Sequence, residues 1–399
     1  MTQMLQRLTL PKPETTEPLL YARLVGESRV VADGVVLASG AQVSFDTSFG
    51  VFAAGRWRRV STVNQLSVEV RASGIGVVEV VAVTGNREEV VAHASLPRGE
   101  GAPTSVVLPL EPLQTSKHGT YFVRVRADGG EVCMTGGQWI TSDAPAHDVR
   151  LSLSITTFNR QEYVRKTVHN VLQLESELAA LTGRLRVFVV DNAQNVTFDA
   201  APNAPLQVVP NGNLGGAGGF ARGLMELRKQ GWATHVLFMD DDITLEPEAL
   251  VRTMALFAFA RDPKLCVHGA MLSEERPWLQ FEAGSEYSFR SIYPLQALGR
   301  EDDLRTRELA ITDAPEIPFD YTAWWYTAFP INITKDNPLP VFVRGDDVGF
   351  GLMHTGKHSI TLNGVIVWHA DFGLKNNPSS LYYESRNLAL VDTLVFDKH

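Results

Sequence analysis

The chain has 399 residues, 44% of them hydrophobic and 20% charged, with a formal net charge of −9. The length predicts two or three globular domains, and the negative balance excludes a generic basic surface, so no nucleic-acid partner is expected. Two widely separated cysteines, Cys133 and Cys266, form no disulfide pattern, and no apolar run is long enough to span a bilayer.

The start of the chain has no signal-peptide layout. A soluble cytoplasmic protein is expected, or one held peripherally at the inner face of the cell membrane. The first third reads as strands. Segments 30–37, 42–45, 65–71, 76–83, 88–93, 105–110, 120–126 and 131–134 are rich in Val and aromatic residues, with Gly, Asp, Asn and Pro between them. Short strands at this spacing predict an all-β, jelly-roll-like sandwich with no helix interrupting it. The polar segment 141–148 contains Pro145 and reads as a linker. It divides the chain into an N-terminal domain, 1–147, and a catalytic domain, 148–399.

Beyond the linker, strands and helices alternate. The apolar run 151–156 leads into Thr157-Phe158-Asn159-Arg160, and Val164, Val168, Val171 and Leu172 follow at helical spacing. Further strands are predicted at 186–190, 206–209 and 235–239, and helices at 219–229 and 247–260. This alternation predicts an α/β domain with a mostly parallel sheet covered on both faces. Ligands of such sheets bind at the carboxyl ends of the strands, where the polar residues of this chain cluster.

The strongest chemical signal is Phe238-Met239-Asp240-Asp241-Asp242, a strand running straight into three carboxylates. Like charges packed together need a compensating cation or basic groups. Asp240 and Asp242 point the same way in an extended segment, and their oxygens suit Mg²⁺ or Mn²⁺ carrying a diphosphate. A solvated acidic turn is the bland counterpart. The run Asn211-Gly212-Asn213-Leu214-Gly215-Gly216-Ala217-Gly218-Gly219 opens a helix whose free amides favour an anion; a flexible loop is its counterpart. Asp346 and Asp347 form a second acidic pair, either a general base with its neighbour or a helix cap. His369 ends a strand and is either a third metal ligand or a structural histidine. Trp324 and Trp325 either pack in the core or offer a ring face to a sugar.

Taken together, Thr157-Phe158-Asn159-Arg160, Val189-Val190-Asp191-Asn192, Asn213 to Gly219, Asp240-Asp241-Asp242, Trp324-Trp325, Gly345-Asp346-Asp347 and Trp368-His369 resemble family 2 glycosyltransferases of the GT-A fold. Their order is closest to bacterial galactofuranosyltransferases that build cell-wall galactan. Val43-Ser44-Phe45-Asp46-Thr47-Ser48-Phe49 and Gly55-Arg56-Trp57-Arg58-Arg59 resemble the N-terminal β-sandwich of the galactan-polymerising type. The pattern departs from that type at Gly345, where a Trp is usual, and at Gly284-Ser285, where Gly-Glu is usual, with Glu282 and Glu286 nearby. Glu384 lies near the place of a His expected before Arg386-Asn387.

The resemblance implies an inverting, metal-dependent transferase that moves galactofuranose from UDP-galactofuranose to a glycan or polyprenyl-linked glycan. Arg160, Asn192 and Asn213 would hold the uridine and diphosphate, with Asp240 and Asp241 also at the donor. Asp240, Asp242 and His369 would bind Mn²⁺ or Mg²⁺. Asp347 would be the catalytic base, with Asp346, Trp324 and Trp325 at the acceptor. A homo-oligomer fits the same resemblance. The rival expectations are a rhamnosyl- or galactopyranosyltransferase on the same fold, and a carbohydrate-binding protein with a degenerate catalytic domain. A nucleotidyltransferase is disfavoured because no basic activation motif is present.

Overall fold

The computed structural model describes residues 2–96, 103–179, 181–201, 203–313, 318–370 and 378–396. The valine-rich first third forms a single nine-stranded, antiparallel sheet. Two strands run through most of it, Ser67–Thr84 and Thr120–Thr141. Each joins two segments that the sequence separates with glycines. The register shifts between Arg71 and Ala72 and between Gly74 and Gly76, so the strand is bent by bulges without ending. Gly74 has φ +114°, and a Cβ there would lie 2.0 Å from the Glu131 carbonyl oxygen; only glycine fits that bend. Along Ser67–Thr84, Val68, Val70, Ala72, Val78 and Val80 turn inward at a period of two.

One helix does interrupt these strands, contrary to the sequence reading. It covers Ala54–Val60, too short for its periodicity to be read. Its Trp57 is fully buried and stacks on Phe52 with ring centroids 5.5 Å apart.

The second sheet has the order Leu206–Pro210, Leu185–Asp191, Leu151–Thr157, His235–Asp240, Thr327–Pro330, Cys266–Ser273, Ser359–His369, Thr244–Leu245. The strands as far as His235–Asp240 run parallel. Thr327–Pro330 then lies antiparallel to both of its neighbours, and Thr244–Leu245 antiparallel to Ser359–His369. Cys266–Ser273 and Ser359–His369 are again parallel, so the sheet is mixed with four of its seven pairings along this order parallel. A short apolar strand such as Thr327–Pro330 is buried on both faces in either direction, so its composition carries no sense of direction. Helices Gln161–Glu177 and Gly215–Gln230 pack on the parallel half. The approach of Gly215–Gln230 is close, because a Cβ at Gly219 or Gly223 would lie 2.1 Å from Thr156 Cγ2 or 2.2 Å from Ser154 Oγ.

Helix Pro247–Ala258 packs against the N-terminal strand Gln3–Leu8 and against Ser359–His369, and residues 248–257 are all buried. Such burial traps two charges, Glu248 and Arg252, which must be paired to be tolerated. Glu248 accepts from the Arg7 backbone N at 2.7 Å and from Arg7 Nε at 2.6 Å. Arg252 donates to Glu248 at 3.4 Å, to the Phe49 carbonyl at 2.6 Å and to the Asn363 carbonyl at 2.5 Å. Just before the helix, Tyr21 donates to Glu246 at 2.8 Å. No helix among the described residues is long and apolar enough to cross a membrane.

Candidate active site

The chemistry-bearing residues gather at the carboxyl ends of the parallel strands. Strand His235–Asp240 ends beside Thr156 of its neighbour, delivering Asp240 to the rim. The chain turns through Asp241 and Asp242 and pairs Thr244 with Trp368, which sets Asp242 next to His369. One ligand atom each from Asp240, Asp242 and His369 lies within 4.8 Å of the others. The His369 Nδ1 is 2.6 Å from the Ala370 carbonyl oxygen. A carbonyl only accepts, so Nδ1 carries the proton. The neutral ring then has its lone pair on Nε2, which faces Asp242 Oδ1 at 3.5 Å. Two hard carboxylates and an imidazole with its second nitrogen fixed are a donor set that fits Mn²⁺ or Mg²⁺.

Arg160 follows the end of strand Leu151–Thr157. It pairs with Asp242 and lies 3.4 Å from Asp241. Burial pushes the Asp241 carboxyl up to about 6, against the pull of the neighbouring Thr157 hydroxyl and of Arg160. Asp191 is spent on the backbone, accepting from the amides of Ala193, Gln194, Asn195 and Val196 at 2.7–3.0 Å. Asn192 is buried. Its side chain donates to the Gly215 carbonyl at 3.0 Å and accepts from Asn211 at 2.8 Å, so it shapes the glycine loop. Asn213 is exposed, with Oδ1 accepting from the Gly215 amide at 3.2 Å.

A cavity of about 410 Å³ opens beside this rim. Asp240, Gly216, Asp346, Asp347, Glu282 and Tyr321 are among the residues that line it. Asp346 and Asp347 begin the short helix Asp346–Phe350, with the left-handed Gly345 before it. Neither works as a side-chain cap of that helix; Asp347 Oδ1 accepts from the adjacent Val348 amide at 2.8 Å. Burial raises both carboxyls; Asp347 raises Asp346 further, and Arg344 holds Asp347 back. Trp324 and Trp325 also line the cavity but are almost wholly buried, at 4% and 3% exposure. Trp324 packs edge-on against Phe220 and Phe238 at 5.0 Å, and Trp325 donates to the Gly269 carbonyl at 2.8 Å. Their core role thus dominates, with a limited face toward the cavity.

Glu282 stands out from its surroundings. Burial pushes its carboxyl up to about 7, with Ser285 opposing and Asp347 adding to the rise. Its Oε1 has no hydrogen-bond partner. The sequence held no signal for it beyond an acidic residue near Gly284. Its place in the cavity wall depends on how strand Gln280–Glu282 pairs with Cys266–Ser273.

Residues 147–290 match the family model "Glycosyltransferase like family 2", and residues 5–145 match "Galactofuranosyltransferase 2 N-terminal". The class defined by the strand-end carboxylates and this match is that of the glycosyltransferases. Within it, residues 147–290 are similar to family 2, and residues 5–145 are similar to the N-terminal region of galactofuranosyltransferase 2. The galactofuranosyltransferase GlfT2 of Mycobacterium tuberculosis is 28% identical over 99% of this chain and 66% of its own length. That of Mycolicibacterium smegmatis is 26% identical over 99% and 65%. The chain thus spans about two thirds of the length of these curated relatives. Among solved structures, S. aureus TarS 1-349 gives a TM-score of 0.40 at 15% identity, covering 62% of this chain and 66% of that one.

Proposed function

We propose that the chain transfers galactofuranose from UDP-galactofuranose to a glycan or polyprenyl-linked glycan acceptor, with inversion at the anomeric carbon. The observation that carries this reading is one cavity lined both by Asp240 of the Asp240–Asp242–His369 set and by the acidic pair Asp346–Asp347. The names of the two relatives and of the N-terminal family model supply the sugar. In this reading residues 1–147 are a sandwich-like domain that braces a GT-A catalytic domain, 148–399.

Asp240, Asp242 and His369 would hold Mn²⁺ or Mg²⁺, which would supply positive charge against that developing on the departing diphosphate. Arg160 leaves its carboxylate partners for the diphosphate, and Asn192 and Asn213 shape and line the uridine side next to Asp240 and Asp241. Asp347 takes the proton of the attacking acceptor hydroxyl; a carboxyl raised by burial holds a proton better and is the stronger base. Asp346 hydrogen-bonds the acceptor, and the small cavity-facing parts of Trp324 and Trp325 border its site. A single displacement turns an α-linked donor into a β-linked product. Work on a polyprenyl-linked acceptor would place the protein at the inner face of the cell membrane, and a homo-oligomer fits the same reading.

The test is incubation with UDP-galactofuranose, Mn²⁺ and a short lipid-tailed galactofuranoside, with UDP-galactopyranose and dTDP-rhamnose as parallel donors. Mass spectrometry and linkage analysis read the product. A β-galactofuranosyl product is expected. An α-linkage removes the single displacement, and transfer from another donor alone removes the sugar assignment.

A further inference from the structure

The segment that leads into Asp346 and Asp347 is unusually contorted. Phe342, Arg344 and Gly345 have φ of +74°, +67° and +80°. Two of the three carry a Cβ, so the left-handed backbone is costly and must be held from outside. Most of the holding comes from one side chain. Asn387, fully buried on helix Pro378–Val391, donates from Nδ2 to the carbonyls of Val341 at 3.2 Å, Val343 at 2.7 Å and Arg344 at 2.7 Å. Its Oδ1 accepts from Arg386 Nε at 2.8 Å. A guanidinium only donates, so this contact fixes which end of the amide faces the loop. Arg386 adds a bond of its own to the Val341 carbonyl at 2.9 Å.

The other side of the loop is pinned as well. The Phe342 carbonyl accepts from the Ala217 amide at 3.2 Å, in the glycine-opened helix on the donor side. A Cβ at Gly215 would come within 2.0 Å of the same oxygen. The contorted segment is thus wedged between the glycine loop and Asn387, and it emerges directly into the acidic pair.

We propose that Asn387 is a positioning residue: by gathering three carbonyls of residues 341–344 it holds the left-handed bend that aims Asp347 into the cavity. This rests on the reading of Asp347 as the base. Asn387 touches no reacting atom itself. Losing its amide lets the bend relax, and the carboxylate drifts from its line of attack while the metal and donor side stays as it is.

The comparison variant is Asn363→Ala. Asn363 also donates to two backbone carbonyls, Ser48 at 3.2 Å and Val51 at 2.8 Å, but it stands at the N-terminal interface. In the full chain, Asn387→Ala is expected to lower kcat about a hundredfold, the scale of a displaced catalytic group. Affinity for UDP with Mn²⁺ should stay within about twofold, because that binding is not the interaction removed. Amide hydrogen exchange across 343–348 should speed up in Asn387→Ala and stay at the wild-type rate in Asn363→Ala. Wild-type kcat in Asn387→Ala, or equal losses of kcat in both variants, overturns the assignment. If the wild-type protein transfers no sugar from UDP-galactofuranose, the function reading falls. The exchange experiment still decides the clamp: unchanged exchange in Asn387→Ala removes it, and faster exchange upholds it.

Discussion

Two residues of the proposed mechanism, Asp347 and His369, separate cleanly in their expected effects. Asp347→Asn removes the proton acceptor and leaves the donor side intact. Transfer should drop about 10²–10⁴-fold, with UDP–Mn²⁺ binding by calorimetry unchanged. His369→Ala removes a donor atom whose orientation is set by the Ala370 carbonyl. It should weaken Mn²⁺-dependent UDP binding by at least about tenfold, and unaltered titrations would remove it from the ligand set.

Glu282 makes a prediction about stability. Its folded value of about 7 lies above its ordinary 4.5 because burial disfavours the charged form. Between these values the native state binds more protons than the unfolded one, so stability falls as pH rises through this window and is fully kept below it. Glu282→Gln removes the titration. Relative to wild type, the variant should gain about 1–3 kcal/mol at pH 8 compared with pH 5, measured by urea unfolding. A difference independent of pH would mean that the carboxyl is not held as described.

At this scale the sequence was informative where chemistry forced adjacency. Asp240, Asp241 and Asp242 announce themselves because three like charges follow an apolar strand. His369 does so because it ends another. Glu282 and Asn387 were illegible as site residues. One owes its place to a strand pairing, the other to a helix folding back over a loop more than forty residues earlier in the chain.

Among the elements, the helix Gly215–Gln230 shows how composition can serve two ends. Its glycines read as a ligand loop, yet Gly219 and Gly223 lie within the helix and let it settle against Thr156 and Ser154. Gly223→Ala should raise helix propensity and still destabilise the protein by about 1–3 kcal/mol, because the new methyl overpacks the contact. A higher midpoint in chemical unfolding would contradict that packing. The strands of the first third were legible as strands, since Val-rich alternation encodes burial on one face. Their continuity was not. Gly74 and Gly76 look like punctuation in the sequence and act as bulges within one strand. The mixed order of the second sheet was equally hidden, because Thr327–Pro330 is apolar on both faces.

For the whole molecule, the decisive element is the helix Pro247–Ala258, buried between the two regions and crossed by the Arg7–Glu248–Arg252 chain. The main apolar core runs through both regions, from Leu5 and Trp139 to Leu256 and Val367. Calorimetry should therefore show one cooperative transition. Arg252→Met should lower the stability of the entire chain by about 1–3 kcal/mol, since Glu248 keeps Arg7 but the Phe49 and Asn363 carbonyls lose their donor. Two resolved transitions, with only one displaced by the variant, would show that the regions unfold independently.

The cavity wall has a separate attachment. Leu295, Ala297 and Arg300 face the cavity, and the chain then runs along the N-terminal sheet. There Ser48 donates to the Leu304 carbonyl at 2.7 Å, Arg307 pairs with Asp46, and Ala310 and Ile311 pack on Val51, Val81, Val83 and Phe122. The strand-end carboxylates and His369 hang from the other sheet. In the proposed reading this wall borders the acceptor, so a surface strap and its landing pad can be exchanged without touching the strand-end carboxylates. Grafting residues 295–313 together with their footing is then the way to change what that wall admits while the carboxylates and His369 stay in place.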